Sequence, residues 1–192
     1  MQTEKDRLAK GVFAKLLDDE KLRFLIIGND VGYKFPKKIK VKSNSKTLAK
    51  NDGQPLQQSL FDFVPSEDFN EEEKKVAWYL EDQSKLFFWY RNRAKQDYAI
   101  QGWRKQKIYP DFVFTTNNDS GKDFEKVYVV ETKGIFLKND DTKYKESIFD
   151  LCNEKAKGMS WSELGLKFKD KAIDFQVIFG DEWQRRFNEM FA

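Results

Sequence analysis

Asp111, Glu131 and Lys133 are the residues whose types and spacing suit one chemistry. Asp111 follows Pro110 at the head of the run Phe112-Val113-Phe114, the composition of a strand that begins just after a proline. The turn-rich Asn117-Asn118-Asp119-Ser120-Gly121 leads to a second apolar run, Val127-Tyr128-Val129-Val130, which ends in Glu131-Thr132-Lys133-Gly134. The two runs are predicted to pair as a hairpin. Side chains alternate along a strand, so Val127, Val129, Glu131 and Lys133 share a face, and a carboxylate and an ammonium project together at its end. Two charges ending a buried strand carry a desolvation cost, which is offset if a divalent cation and a phosphate complete the site. Asp111 supplies a second carboxylate. Two hard carboxylate oxygens suit Mg²⁺, with Mn²⁺ as substitute, and the lysine holds the attacking water and offsets the charge that develops on the phosphate. The expected chemistry is metal-assisted hydrolysis of a phosphodiester.

The elements that must position these groups follow from periodicity. Phe69 to Asp82 reads as a helix with Glu73, Val76, Ala77 and Leu80 on its inward face. Asn70 and Glu73 also make a capping box, which gives Glu73 a structural use, and Glu72 replaces it on the inward face if the helix is rotated. Leu86 to Tyr90 is expected as the first core strand, followed by Arg91-Asn92-Arg93, and Tyr98 to Trp103 as the second. A helix runs through Ile148, Phe149, Leu151 and Cys152, capped by Asp141 or Thr142; Lys143 and Lys145 on it suit either phosphate contact or a solvated face. Trp161 to Phe168 reads as a connector. Ile173, Phe175, Val177 and Phe179 alternate as a further strand, and Asp181 caps a last helix whose Trp183, Phe187 and Met190 serve the core rather than base stacking.

Residues 1–60 are expected as an appendage to a main domain over 61–192. Glu4 to Glu20 carries Leu8, Val12, Leu16 and Leu17 at helical spacing, and Phe24 to Ile27 reads as a short strand before a turn at Gly28. From Lys34 to Lys50 there are seven lysines and no acidic residue, with Lys38, Lys40 and Lys42 alternating as in an exposed edge strand. Lysines that protect a sheet edge account for this pattern, and a phosphate-contacting patch is the other reading.

Composition narrows the chemistry further. The 192 residues, 16% of them aromatic, are enough for one domain with a substantial core. The 35 basic and 32 acidic residues leave a formal charge of +3, so any nucleic-acid contact must come from local patches. There is no histidine, which excludes Ser-His-Asp and Cys-His catalysis and histidine-bound metals. The lone Cys152 makes no disulfide within the chain and fits a structural role in a reducing compartment. Without a signal-like or membrane-spanning apolar run, the sequence predicts a cytoplasmic protein.

With Pro110-Asp111 as the first half-motif and Glu131-Thr132-Lys133 as the second, the chain resembles the PD-(D/E)xK nuclease superfamily. The resemblance implies an α/β fold with a mixed central sheet flanked by helices, and Mg²⁺-dependent cleavage of DNA. It also implies that a helix ahead of the sheet brings a further acidic residue to the metal, for which Glu73 is the candidate beside Asp111 and Glu131. Arg91, Arg93, Lys143 and Lys145 are the expected contacts to the nucleic-acid strand. From Phe69-Asn70 through Trp89-Tyr90-Arg91-Asn92 and Tyr98-Ala99-Ile100-Gln101-Gly102-Trp103 to Glu131-Thr132-Lys133-Gly134, the chain looks more narrowly like the C-terminal nuclease part of type III restriction subunits. Those subunits place an ATP-driven helicase motor ahead of the nuclease, and this sequence has no Walker-type phosphate loop. A motor and a methylating, site-choosing subunit are therefore expected on other chains or on missing parts, in a defence system against foreign DNA.

Overall fold

The computed structural model describes residues 2–19, 25–27, 38–134, 139–156, 172–180 and 182–192. In chain order these form helix α1 (Gln2–Asp18), strand β1 (Leu25–Ile27), helix α2 (Glu71–Glu81), strands β2 (Leu86–Arg91), β3 (Tyr98–Ile100), β4 (Phe112–Asn117) and β5 (Phe124–Lys133), helix α3 (Asp140–Ala156), strand β6 (Ala172–Phe179) and helix α4 (Trp183–Phe191). The central sheet has the order β2-β4-β5-β6. β4 is antiparallel to both β2 and β5, and β6 lies parallel to β5. Arg91 pairs with Phe112, Phe112 with Val130, and Lys133 with Phe179. The C-terminal ends of β2, β5 and β6 therefore meet the N-terminal end of β4, and Asp111, Glu131 and Lys133 lie at this end of the sheet.

The sheet is mixed α/β with helices on both faces. Alternation sends Trp89, Phe112, Phe114, Tyr128, Val130 and Ile178 to one side, where α2 contributes Val76, Ala77 and Leu80 and α4 contributes Phe187 and Phe191. Tyr90, Val113, Val127, Val129 and Phe175 face the other, against Ile148, Phe149 and Cys152 of α3. Cys152 is 1% exposed, and burial pushes its thiol above the usual range, as befits a packing residue. Among the described residues no helix is long and apolar enough to cross a membrane.

Several expectations are corrected. Tyr98 to Trp103 does not enter the central sheet: β3 pairs with β1 in a separate two-stranded sheet, and Ile100 bridges Ile108. Just beyond β3, Gly102 lies directly under α3. A Cβ at that position would meet the Tyr144 hydroxyl and stand 2.5 Å from Ile148 Cδ1. Gly102→Ala is expected to cost about 1–3 kcal/mol, read as a lower denaturant midpoint at unchanged slope.

Residues 38–42 form no strand. The outer edge of β2 is instead covered by the Gln58–Leu60 stretch, through Leu60 N to Trp89 O (2.7 Å) and Trp89 N to Gln58 O (3.0 Å). Helix α1 is rotated from the face its leucines suggest: Leu8 and Val12 are 58% and 61% exposed, and Phe13 packs inward. Asp6 on Arg104 (2.6 Å) and Lys10 over the Trp103 ring fix that face. The cap of α3 is Asn139, whose Oδ1 accepts from the backbone N–H groups of Asp141 (3.1 Å) and Thr142 (3.0 Å). The Trp161–Phe168 connector, Gly28 and the Asp181 cap lie outside the described residues.

Candidate active site

Asp111, Glu131 and Lys133 come together at the sheet edge by register alone. Asp111 N donates to Val130 O at 2.9 Å, which sets Asp111 beside the last residues of β5. Its Oδ2 accepts from the backbone N (2.7 Å) and the Oγ1 (2.8 Å) of Thr132. One carboxylate oxygen is thus fixed by the middle residue of Glu-Thr-Lys, and the other, Oδ1, meets Arg91. Asp111, Glu131, Thr132 and Lys133 line a cavity of about 670 Å³ together with the first turn of α2, Gly180 and Trp183.

Three cations from three elements face these carboxylates. Arg91, the last residue of β2, spans Glu73 Oε1 at 2.7 Å and Asp111 Oδ1 at 3.2 Å. Its guanidinium also donates to the Asp111 carbonyl at 2.7 Å. Lys133 and Lys145 both reach Glu131 Oε1, at 2.5 and 2.7 Å. Lys145 arrives from α3, nearly two turns beyond the Asn139 cap.

Glu131 is 3% exposed, and its Oε2 is buried with no hydrogen-bond partner among the described residues. Desolvation first, and the negative charge of Asp111 second, push the Glu131 carboxyl above its usual range against the pull of Lys133 and Lys145. Burial likewise raises Glu73, opposed chiefly by Arg91. Burial disfavours the charge on Lys145, but Glu131, Lys133 and Asp141 together outweigh it and lift that ammonium above the ordinary lysine range. The edge therefore carries a buried carboxylate oxygen without a donor beside a second carboxylate, which is the donor set a hard divalent cation takes.

Asp111 and Glu131 are the carboxylates that could hold such a cation, while Glu73 is otherwise engaged. Its Oε2 accepts from Asn70 N (2.9 Å) and Asn70 Oδ1 accepts from Glu73 N (2.9 Å), completing the capping box, and its other oxygen holds Arg91. No group of three His, Cys, Asp or Glu side chains placed to hold a metal ion occurs among the described residues. Arg91 and Lys145, expected at the strand-contacting surface, stand inside the site. Arg93 is committed to Asp97, by Nε (2.9 Å) and Nη2 (3.1 Å). Lys143 is exposed on α3.

The roles of Arg91, Lys145 and Thr132 follow from register and from the docking of α3, neither of which leaves a spacing signature in the chain. The one available signal was that Arg91 ends a strand on the edge where Asp111 begins one. Lys145→Met removes one of two cations from Glu131 Oε1, and any metal-dependent cleavage carried out by this site is expected to fall by about 10–100-fold. Mn²⁺ affinity, measured by calorimetry, is expected not to weaken, whereas a change that merely disordered the site would weaken both.

Fold and site together define a mixed α/β protein whose four-stranded sheet carries a carboxylate and lysine cavity on one edge. Set against family models, curated proteins and solved structures, the chain matches none.

Proposed function

We propose that this chain is a Mg²⁺-dependent endonuclease of the PD-(D/E)xK type that hydrolyses DNA phosphodiester bonds. The observation that carries the reading is the buried, donorless Oε2 of Glu131 beside Asp111, with Lys133 on the other oxygen. Asp111 Oδ1 and Glu131 Oε2 would hold the metal, which when bound polarises the scissile phosphate and activates a water. Lys133 orients that water and offsets the charge gathering on the phosphate. Thr132 keeps Asp111 aimed by donating twice to Oδ2. Arg91, held by Glu73, is placed to grip a non-bridging phosphate oxygen, and Lys145 balances the negative charge of Glu131 when Lys133 turns to the water. In the wider reading the chain is the nuclease module of a type III restriction-like defence system, with helicase motor and methyltransferase functions supplied elsewhere.

One observation favours a second reading. Arg91, Lys133 and Lys145 already neutralise the three carboxylates, the arrangement expected of a nuclease-like fold kept for binding DNA without cutting it. Calorimetric titration of the full chain with Mn²⁺ separates the two. The nuclease reading expects a binding isotherm that disappears in Asp111→Asn; absence of heat in the wild-type chain favours the non-cutting module.

A further inference from the structure

The described portion of the lysine-rich segment, residues 38–50, has no part in the site described above and lies beside it. The Lys40 carbonyl accepts from Arg93 Nη1 (3.5 Å), two residues beyond Arg91, and the Lys46 carbonyl accepts from Ser66 N (2.9 Å), just ahead of α2. Between these anchors Lys40, Lys42 and Lys46 are exposed. Lys42 and Lys46, with Asn44, Ser66 and Lys74, line a hollow of about 510 Å³.

Phe69 and Lys74, on the hollow, bracket the Asn70–Glu73 turn that lines the catalytic cavity. One turn of α2 therefore separates the two. The acids on that turn do not form a barrier of charge, because Glu71 is paired with Lys74 and Glu72 with Lys75, each at 2.7 Å. Glu67, the single acid of the hollow, accepts from the Ser45 hydroxyl, and that bond together with the charge of Lys42 holds its carboxyl below the usual range. Among the described residues Lys42 and Lys46 have no carboxylate within ion-pair distance. Lysine ammonium groups with serine and asparagine side chains around an open hollow are the groups that take phosphate oxygens of a nucleic-acid backbone without reading bases.

We propose that Lys42, Lys46 and the hollow they share with Lys74 form a backbone-binding track that carries the DNA duplex across the start of α2 into the catalytic cavity. The track rests on the nuclease reading for its substrate, but its binding is independent of cleavage. It assigns the segment a use other than the edge protection that its alternation suggests.

The test is fluorescence anisotropy of a labelled DNA duplex with the full chain in EDTA, over a series of salt concentrations. Wild type is compared with Lys42→Gln/Lys46→Gln and with Lys85→Gln/Lys122→Gln, an equal change of charge at exposed positions by the opposite end of the sheet. The track predicts that the slope of log affinity against log salt falls by about 2 in the first pair and not in the second. The same slope in wild type and the first pair, an equal fall in both pairs, or no binding by wild type each overturns it. Because no divalent metal is present, a chain that fails to cut and yet shows the predicted slopes retains the track and loses the nuclease. A chain that cuts DNA with unaltered slopes does the reverse.

Discussion

Asp111→Asn is expected to reduce DNA nicking by a factor on the order of a thousand or more while the chain stays folded. The substitution is nearly isosteric. An asparagine oxygen can still accept from Thr132 N and Oγ1, the two bonds that fix Asp111 against β5, so the backbone register between Asp111 and Val130 has no reason to change. What disappears is the negative charge that faces Arg91 and adjoins the donorless oxygen of Glu131. Activity should fall without loss of thermal stability, and the Mn²⁺ isotherm should vanish with it. Measured nicking rates within a few-fold of wild type would mean that Asp111 supplies only structure.

The second large effect lies away from the site. Glu81→Ala is expected to destabilise the chain by about 3–5 kcal/mol, measured from the midpoint of denaturant unfolding. Glu81 ends α2 and is 2% exposed. Its carboxylate accepts from Gln57 N (2.8 Å), Gln58 N (3.0 Å) and Trp89 Nε1 (2.7 Å), with Lys50 Nζ at 4.0 Å. These bonds tie the stretch that covers the edge of β2 to the helix above it. Truncation leaves the partly buried backbone N–H groups of Gln57 and Gln58 without this acceptor, and Trp89, fully buried in the core beneath, loses the hydrogen bond of its indole N–H. Glu81→Gln keeps one acceptor oxygen and should cost clearly less. Equal loss in the two variants would show that charge, rather than acceptor geometry, is what the site needs.

Glu81 also marks where the chain stops being legible. Its neighbours Val76, Ala77 and Leu80 announce the inward face of α2 by spacing, and the Asn70 and Glu73 capping box is visible as a four-residue pattern realised in both of its hydrogen bonds. A carboxylate that turns inward to meet backbone N–H groups more than twenty residues earlier has no such signature. The β4 and β5 hairpin was readable because the period of two and the turn residues between the strands are local. The placement of Tyr98–Ile100 was not, because its apolar composition suits a central strand, whereas it pairs with β1, a segment remote in sequence.

The same division runs through the site. Asp111, Glu131 and Lys133 were legible from one hairpin, since pairing and alternation determine their neighbours. Glu73 was legible as a helix residue on the inward face, but its engagement by Arg91 depends on where β2 ends. Lys145 reads as one of several lysines on an exposed helix face until α3 is laid against the sheet. The sequence names both cations only as contacts for a nucleic-acid strand; their pairing with the carboxylates of the site depends on long-range docking, which leaves no local signature.

The central claim is tested most directly by incubating supercoiled plasmid with the purified chain in Mg²⁺, in Mn²⁺ and in EDTA. The account predicts conversion to nicked and then linear DNA with either metal and none in EDTA. Intact supercoiled plasmid under all three conditions, from a folded chain that binds the same DNA, would contradict it.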